Sequence, residues 1–269
     1  MLMKKGLLFL VLFLLSLTLV YAHGNEVKSS LSETTSRGVN YIIIVSVFIL
    51  AVTLFSIVNK HLGETFKWYL FLAIVVPVLL VTVYVAGSTI YLNLISESEG
   101  PIHWHADFEV WKCGERLDLK NPKGFSNRIG NPVFHEHGDN RIHVEGVIVK
   151  KQEADLASFF DVVGGKLEKD YLIVPTDKDF VKLENGDDCN GKEGNLQVFV
   201  YKVTNPHLTK LWEYDQVKLD NFGEYVLSPY GNVPPGDCII IDFDTEKNKT
   251  EHICSTYEFA MQRGELSGS

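Results

Sequence analysis

The stretch IHWHADFEVW (residues 102–111) decides the fold of the C-terminal part of this chain. Apolar and polar residues alternate along it, which is the two-residue period of a half-buried β-strand. Successive side chains of a strand point to opposite faces. The apolar face holds Ile102, Trp104, Ala106, Phe108 and Val110, and the polar face holds His103, His105, Asp107 and Glu109. We therefore predict a strand with one side on a hydrophobic core and two histidines on the other.

Neighbouring segments predict a β-rich domain with one or two helices. Strands are predicted at 141–149, 196–203 and 238–244, the last after the turn Pro234-Pro235-Gly236-Asp237, and helices at 153–163 and 250–263. The first of these helices has apolar residues at helical spacing and ends at Gly164-Gly165. Antiparallel strands with a helix packed on one face predict an α+β fold.

Five of the nine histidines lie between His103 and His143, at metal-ligand spacings. They form two His-x-His pairs, His103/His105 and His135/His137, followed by His143 on the predicted second strand. Alternate residues of a strand lie about 7 Å apart on one face, so such a pair can direct two imidazoles to one point. A third imidazole from a neighbouring strand completes a three-ligand set typical of zinc or copper sites.

The remaining residues favour Cu(II) or Zn(II) over Ni(II) or Fe(II). The chain has only three methionines, which are too few for a methionine-rich Cu(I) site: Met1, Met3 and Met261. Imidazole and carboxylate ligands suit copper or zinc. Four carboxylates are predicted to bind the ion or to orient the histidines: Asp107, Glu109, Asp139 and Glu145. Five histidines exceed one tetrahedral site, so a two-metal centre stays open.

The beginning of the chain predicts a secretory signal. Residues 1–22 start with MLMKK, continue with a long apolar run and end at the small residue Ala22, as signal peptides do. Residues 23–38 then form a short extracytoplasmic segment. Cleavage after Ala22 would make His23 the mature N-terminus. Its amine and imidazole would then resemble the copper chelate of histidine-brace monooxygenases.

A transmembrane hairpin is predicted over residues 39–96. Its two apolar runs, at about 39–58 and 68–92, are each long enough to cross a bilayer. The turn between them carries Lys60 and Lys67, which favours a cytoplasmic turn. The rest of the chain is then extracytoplasmic, at the cell membrane.

All four cysteines lie in this predicted extracytoplasmic domain, residues 97–269. They are Cys113, Cys189, Cys238 and Cys254. An even number of cysteines outside the cytoplasm predicts two disulfides, with three connectivities open. The chain has no Cys-x-x-Cys, which argues against a thioredoxin-like oxidoreductase.

The charge of this domain restricts its partners. It carries 31 acidic and 19 basic residues, a net charge of −12. Nucleic acids and anionic lipid headgroups would be repelled, so neither is an expected partner. The partners that remain expected are metal cations, the membrane through the two helices, and further subunits of a membrane complex.

Three short motifs partly match known metal-binding families. The run His103-x-His105-x3-Glu109 resembles the first cupin motif, without the cupin glycine spacing or a second motif. The sequence HEHGDN (135–140) resembles the HxHxDH signature of metallo-β-lactamases, with Asn140 in place of the last histidine. A His-x-His pair plus a third histidine also resembles α-type carbonic anhydrases, with no other matching residue.

The arrangement as a whole resembles uncharacterised membrane-anchored proteins of archaea and uncultured bacterial lineages. The matching features are an HWH strand (His103–Glu109), an HxH…IHxE segment (His135–Glu145), the pair Phe159-Phe160, Cys189 ahead of the strand at 196–203, and the late strand Cys238–Asp244. The similarity covers most of residues 101–245. It implies a recurring extracytoplasmic domain with a histidine cluster, and no particular reaction.

These patterns predict a membrane-anchored protein that captures, stores or delivers copper or zinc outside the cytoplasm. One alternative is a metalloenzyme, in which three histidines hold the ion and Glu109 or Glu145 acts as general base. The other is a structural or interaction domain of a membrane complex, in which the histidines form a pH-responsive surface. The sequence does not decide whether the protein is an enzyme.

Overall fold

The structure is a computed structural model that describes residues 30–208, 211–229 and 236–268. The predicted signal peptide and His23 lie outside these residues, as do Pro234 and Pro235 of the predicted turn. The chain divides into two compact units, one ending at Ile95 and one beginning at Ser96.

The first unit is a pair of long apolar helices, α1 (Ser30–Val58) and α2 (Glu64–Ile95). Both are long and apolar enough to cross a membrane. Helix α1 begins nine residues before the predicted apolar run, and its polar first turns include an ion pair between Glu33 and Arg37, one turn apart. The two helices pack together, with an edge-to-face contact of 5.0 Å between the rings of Tyr41 and Tyr84.

The second unit is built on a mixed sheet of nine strands. Its strands are β1 (Pro101–Lys112), β2 (Glu115–Leu117), β3 (Ile129–Gly130), β4 (Phe134–Glu136), β5 (Arg141–Val147), β11 (Asn195–Val203), β12 (Trp212–Lys218), β13 (Asp237–Asp244) and β14 (Leu266–Gly268). The order across the sheet is β14-β12-β11-β13-β1-β5-β4-β3, with β2 paired to β1. The predicted α+β class is confirmed.

Smaller elements complete this unit. A three-stranded sheet contains β6 (Lys166–Leu167), β7 (Tyr171–Pro175) and β8 (Phe180–Glu184), and a two-stranded one contains β9 (Asp188–Cys189) and β10 (Lys192–Glu193). The helices are α3 (Leu156–Val163) and α4 (Ser255–Gln262), with 3-10 turns at Lys151–Ala154 and Phe222–Glu224.

The strands of the main sheet are not all antiparallel, in contrast to the sequence-based prediction. Strand β13 runs parallel to β1, pairing Ala106 with Asp237 and Lys112 with Phe243, and β14 runs parallel to β12. Parallel neighbours need a long connection, and most of the second unit lies between β1 and β13. The run from Cys238 to Ile241 is fully buried, as expected for a central strand covered on both faces.

Helix α3 covers the apolar face of the sheet beside β1 and β4. The ring of Phe159 lies 5.2 Å from that of Phe108 and 5.4 Å from that of Phe134. The helix begins where the Asp155 carboxylate accepts a hydrogen bond from the Ser158 amide, at 2.8 Å. It ends at Gly164, whose φ of 90° is left-handed. The predicted helix 153–163 is therefore shorter, because a 3-10 turn precedes it.

Helix α4 covers part of the opposite, polar face. It begins directly after Cys254, which is joined to Cys238 by a disulfide. The buried Tyr257 hydroxyl donates to the backbone carbonyl of Tyr201 at 3.0 Å and contacts that of Gly236 at 3.2 Å. The second disulfide joins Cys113 and Cys189, so the structure selects one of the three connectivities left open.

Replacing Phe159 by alanine tests the packing of α3. Phe159 is fully buried against three aromatic rings, so Phe159→Ala should cost about 3–5 kcal/mol of unfolding free energy. Thermal unfolding, followed by tryptophan fluorescence, measures the change. The matched control is Phe259→Ala on α4, where 61% of the residue is exposed and the melting temperature should hardly move. Equal shifts for the two variants would contradict this packing.

Candidate metal centre

The register of three neighbouring strands places three histidines side by side. His105 of β1 lies directly opposite His143 of β5, and His143 lies directly opposite His135 of β4. Directly opposed residues of paired strands project from the same face of a sheet. His143 is therefore the middle member of a row of imidazoles that crosses β1, β5 and β4.

His103 and His137 extend this row into a cluster of five imidazoles. His103 precedes His105 by two residues on β1, and His137 follows His135 by two residues, just beyond β4. The ring centroids of His105, His137, His135 and His103 lie 4.7, 4.8, 5.3 and 6.4 Å from that of His143. We call these five residues the histidine cluster.

The cluster contains two groups of three nitrogens that can hold a metal ion. The outer triad is His103, His105 and His143, and the inner triad is His135, His137 and His143. Within each triad the ligand atoms lie within 4.8 Å of one another. Tetrahedral zinc with bonds near 2.0–2.1 Å would bring them to roughly 3.3 Å, a change within reach of side-chain rotation.

The two triads differ in their exposure to solvent. The side chain of His103, which belongs only to the outer triad, is 59% exposed. That of His143, which both triads share, is 12% exposed. His135 is buried, with 2% of its surface accessible. Solvent therefore reaches the outer triad more readily than the inner one.

Two imidazole nitrogens of the cluster are buried without a hydrogen bond. Neither His135 Nδ1 nor His143 Nε2 has a partner within the described ranges of the chain. The nearest carboxylate oxygen to His143 Nε2 is Asp139 Oδ2, at 3.6 Å, which is too long for a hydrogen bond. An unsatisfied buried polar atom costs about 1–3 kcal/mol, so a ligand that satisfies both nitrogens would stabilise the fold.

Other imidazoles of the cluster are held by acceptors. His137 Nδ1 lies 2.5 Å from the backbone carbonyl oxygen of Asn127, and His103 Nε2 lies 3.2 Å from Glu145 Oε1. A nitrogen that donates to such an acceptor carries the proton, which leaves the lone pair on the other ring nitrogen. Acceptors of this kind orient the histidine ligands of metal sites.

The cluster is electrostatically suited to hold a cation. Burial, together with the neighbouring His105, His135 and His137, lowers the pKa of His143 to about 4 against the opposing effect of Asp139. Burial also lowers the pKa of His105 and of His135. These imidazoles are therefore neutral near pH 7, and their lone pairs are available to a metal ion.

Two of the four predicted carboxylates are engaged away from the triads. Asp107 accepts a hydrogen bond from Arg141 Nε at 2.7 Å and another from the Thr256 hydroxyl. Glu109 accepts hydrogen bonds from Trp111 Nε1 at 2.9 Å and from Arg116 at 3.3 Å. Both are buried, and burial raises the pKa of Glu109. They share the histidine face of β1, but lie further along the strand.

The other two predicted carboxylates, Asp139 and Glu145, lie beside the cluster. Glu145 is opposite His103 in the pairing of β5 with β1, and its carboxylate contacts that imidazole. Asp139 lies in the turn between β4 and β5, beside His143. Both positions suit the orienting role expected of them, Glu145 at the outer triad and Asp139 near the shared histidine.

Sequence reasoning did not single out Glu136 or Asn127. The buried Glu136 carboxylate accepts hydrogen bonds from the Asp139 amide at 2.7 Å and the Asn140 amide at 3.0 Å, and so closes the turn between β4 and β5. The sequence HEHGDN shows that Glu136 lies between two histidines, but its role as acceptor for the turn amides appears only once the chain is folded. Asn127 acts through its backbone carbonyl, for which the side chain gives no signal.

Two further histidines of the second unit, His207 and His252, belong to neither triad. His252 stacks on Trp111, with ring centroids 3.7 Å apart and planes within 5° of parallel. His207 is exposed in the loop after β11. His61 lies in the turn between α1 and α2.

Replacing His135 by leucine tests whether the buried imidazoles are kept at a cost in stability. Leucine fills similar space and removes the unsatisfied Nδ1, so metal-free His135→Leu should be as stable as the native protein or more stable by about 1 kcal/mol. Thermal unfolding in the presence of a chelator measures this. A lower melting temperature would show that the imidazole makes stabilising interactions of its own.

Comparison with known proteins offers no template for the cluster. The chain matches no protein-family model, no curated protein sequence and no solved structure. The chemistry assigned to the five histidines therefore rests on their geometry alone.

Proposed function

We propose that this chain is a membrane-anchored protein that binds Cu(II) or Zn(II) outside the cytoplasm through its histidine cluster, for capture, storage or delivery of the ion. The observation that carries the proposal is the pair of buried nitrogens, on His135 and His143, that lack a hydrogen bond among the described residues and belong to rings whose centroids lie 5.3 Å apart. A protein interior rarely keeps such atoms unless a ligand, ion or water completes them.

The chemistry of the donors supports copper or zinc. All four cysteines are in disulfides, so thiolates do not compete as ligands. The Met261 thioether Sδ accepts a hydrogen bond from the Tyr214 hydroxyl at 3.4 Å, and Met261 belongs to neither histidine triad. Imidazole nitrogens remain, and these bind Cu(II) and Zn(II) well.

The location outside the cytoplasm is supported by two features of the chain. Disulfides persist in oxidising compartments, and the two here join residues of the second unit. Helices α1 and α2 provide two possible membrane spans, and Lys60 and Lys67 favour a cytoplasmic turn between them. The resemblance to membrane-anchored archaeal and uncultured-bacterial proteins is consistent with this location.

A second candidate function is metal-dependent catalysis at the outer triad. Three histidines can hold an ion with one coordination position left for water, and Glu145 is the carboxylate beside them. Glu109, the other predicted base, is bound to Trp111 and Arg116. Two cavities of 270 and 400 Å³ in the second unit are lined by residues outside the cluster, so neither supplies a substrate pocket at the histidines.

Metal content of the full-length protein tests the proposal. The protein is purified in detergent without a histidine tag and exposed to equal amounts of copper, zinc and nickel. Mass spectrometry after desalting should find about one or two equivalents of a single metal. The double variant His105→Ala/His137→Ala should retain none, and the exposed His207→Ala should bind as the native protein does. An absence of bound metal in the native protein would refute the function.

The same preparation separates a binding site from a structural one. If the site only binds an exchangeable ion, removal of the ion by a chelator should leave the circular dichroism spectrum of the protein unchanged, because the apolar core and both disulfides remain. Loss of the spectrum on chelation would instead favour a structural role of the ion. Hydrolysis of a model ester only by the metal-loaded protein, abolished in Glu145→Gln, would favour the enzyme.

A further inference from the structure

His143 belongs to both triads, and this sharing limits how they can be filled. A neutral imidazole has one nitrogen with a free lone pair, since the other carries the proton. His143 can therefore complete the outer triad or the inner triad, but not both at once. The five histidines thus offer two alternative positions for one ion.

The two positions differ in access and in preorganisation. The outer one includes His103, whose side chain is mostly exposed and contacts Glu145, a carboxylate that attracts cations. The inner one includes the buried His135, and His137, which Asn127 holds in place. A site whose ligands are already fixed loses less conformational entropy on binding, so the inner position should be the tighter one.

The row of rings gives a short path between the positions. His105 lies on one side of His143, at 4.7 Å, and His135 on the other, at 5.3 Å. An ion bound to His143 can exchange His103 and His105 for His135 and His137 one ligand at a time. It then keeps at least one imidazole throughout, and so avoids the cost of full release into water.

We propose that one metal ion enters at the outer triad and passes to the inner triad by ligand exchange around His143. This inference rests on the proposed function and makes it more specific: the cluster is a transfer device, and neither a static store nor a two-metal centre. By microscopic reversibility, release to an acceptor follows the same path through the exposed His103.

Rapid mixing of the full-length protein with Cu(II), and then with a chelator, tests the path. His103→Ala should slow uptake and release alike, each by about tenfold, with the dissociation constant unchanged within about threefold. His137→Ala should keep the rapid uptake but raise the dissociation constant by at least about tenfold. His143→Ala should weaken binding at both positions, and His207→Ala is the matched control. His103→Gln repeats the first test with a polar side chain of closer size.

Each contrary outcome is distinct. Two copper ions per chain with a spin-coupled electron paramagnetic resonance spectrum would overturn the single-ion path and leave metal binding intact. Unchanged rates in both His103 variants would show that ions reach the inner triad directly, and would also overturn it. A native protein that binds no copper or zinc would refute the proposed function itself.

Discussion

The pairing of β5 between β1 and β4 is the constraint on which the site depends. It sets His105, His143 and His135 in one row. A slip of one residue would turn His143 to the opposite face of the sheet, because side chains alternate along a strand. Ile142 and Val144, which flank His143 on β5, prevent the slip by being fully buried on the other face. The apolar core therefore fixes the positions of the imidazoles.

The same arrangement places unfavourable groups together. Neutral imidazoles with unpaired buried nitrogens weaken the metal-free fold, because a buried polar atom without a partner costs free energy. Packing elsewhere offsets this, through the aromatic contacts of α3 and the buried Tyr257 of α4. Departures of this kind from the most stable arrangement are typical of functional sites, where binding depends on groups that are unsatisfied in the free protein.

Local patterns in the sequence predicted the strand and the face that carry the first histidines. The features that they did not predict depend on pairing between distant parts of the chain. The alternation from Ile102 to Val110 predicted β1 and the face that carries His103 and His105. The parallel pairing of β1 with β13 could not be predicted, because alternation identifies a strand but not its partner or direction. Nor could the burial of Asp107 and Glu109, which depends on distant contacts such as Thr256 with Asp107.

The disulfides affect both the position of α4 and the ligands that the domain can offer to an ion. An oxidising environment allows the Cys238–Cys254 disulfide, which fixes the start of α4 on the histidine side of the sheet. Beside that disulfide, Gly236 approaches the backbone of His105 so closely that a Cβ would lie 1.6 Å from its carbonyl oxygen. The same oxidation removes thiolates as ligands and leaves imidazoles. Imidazoles are therefore the donors that β1 and its neighbours offer to an ion, and such donors suit copper and zinc.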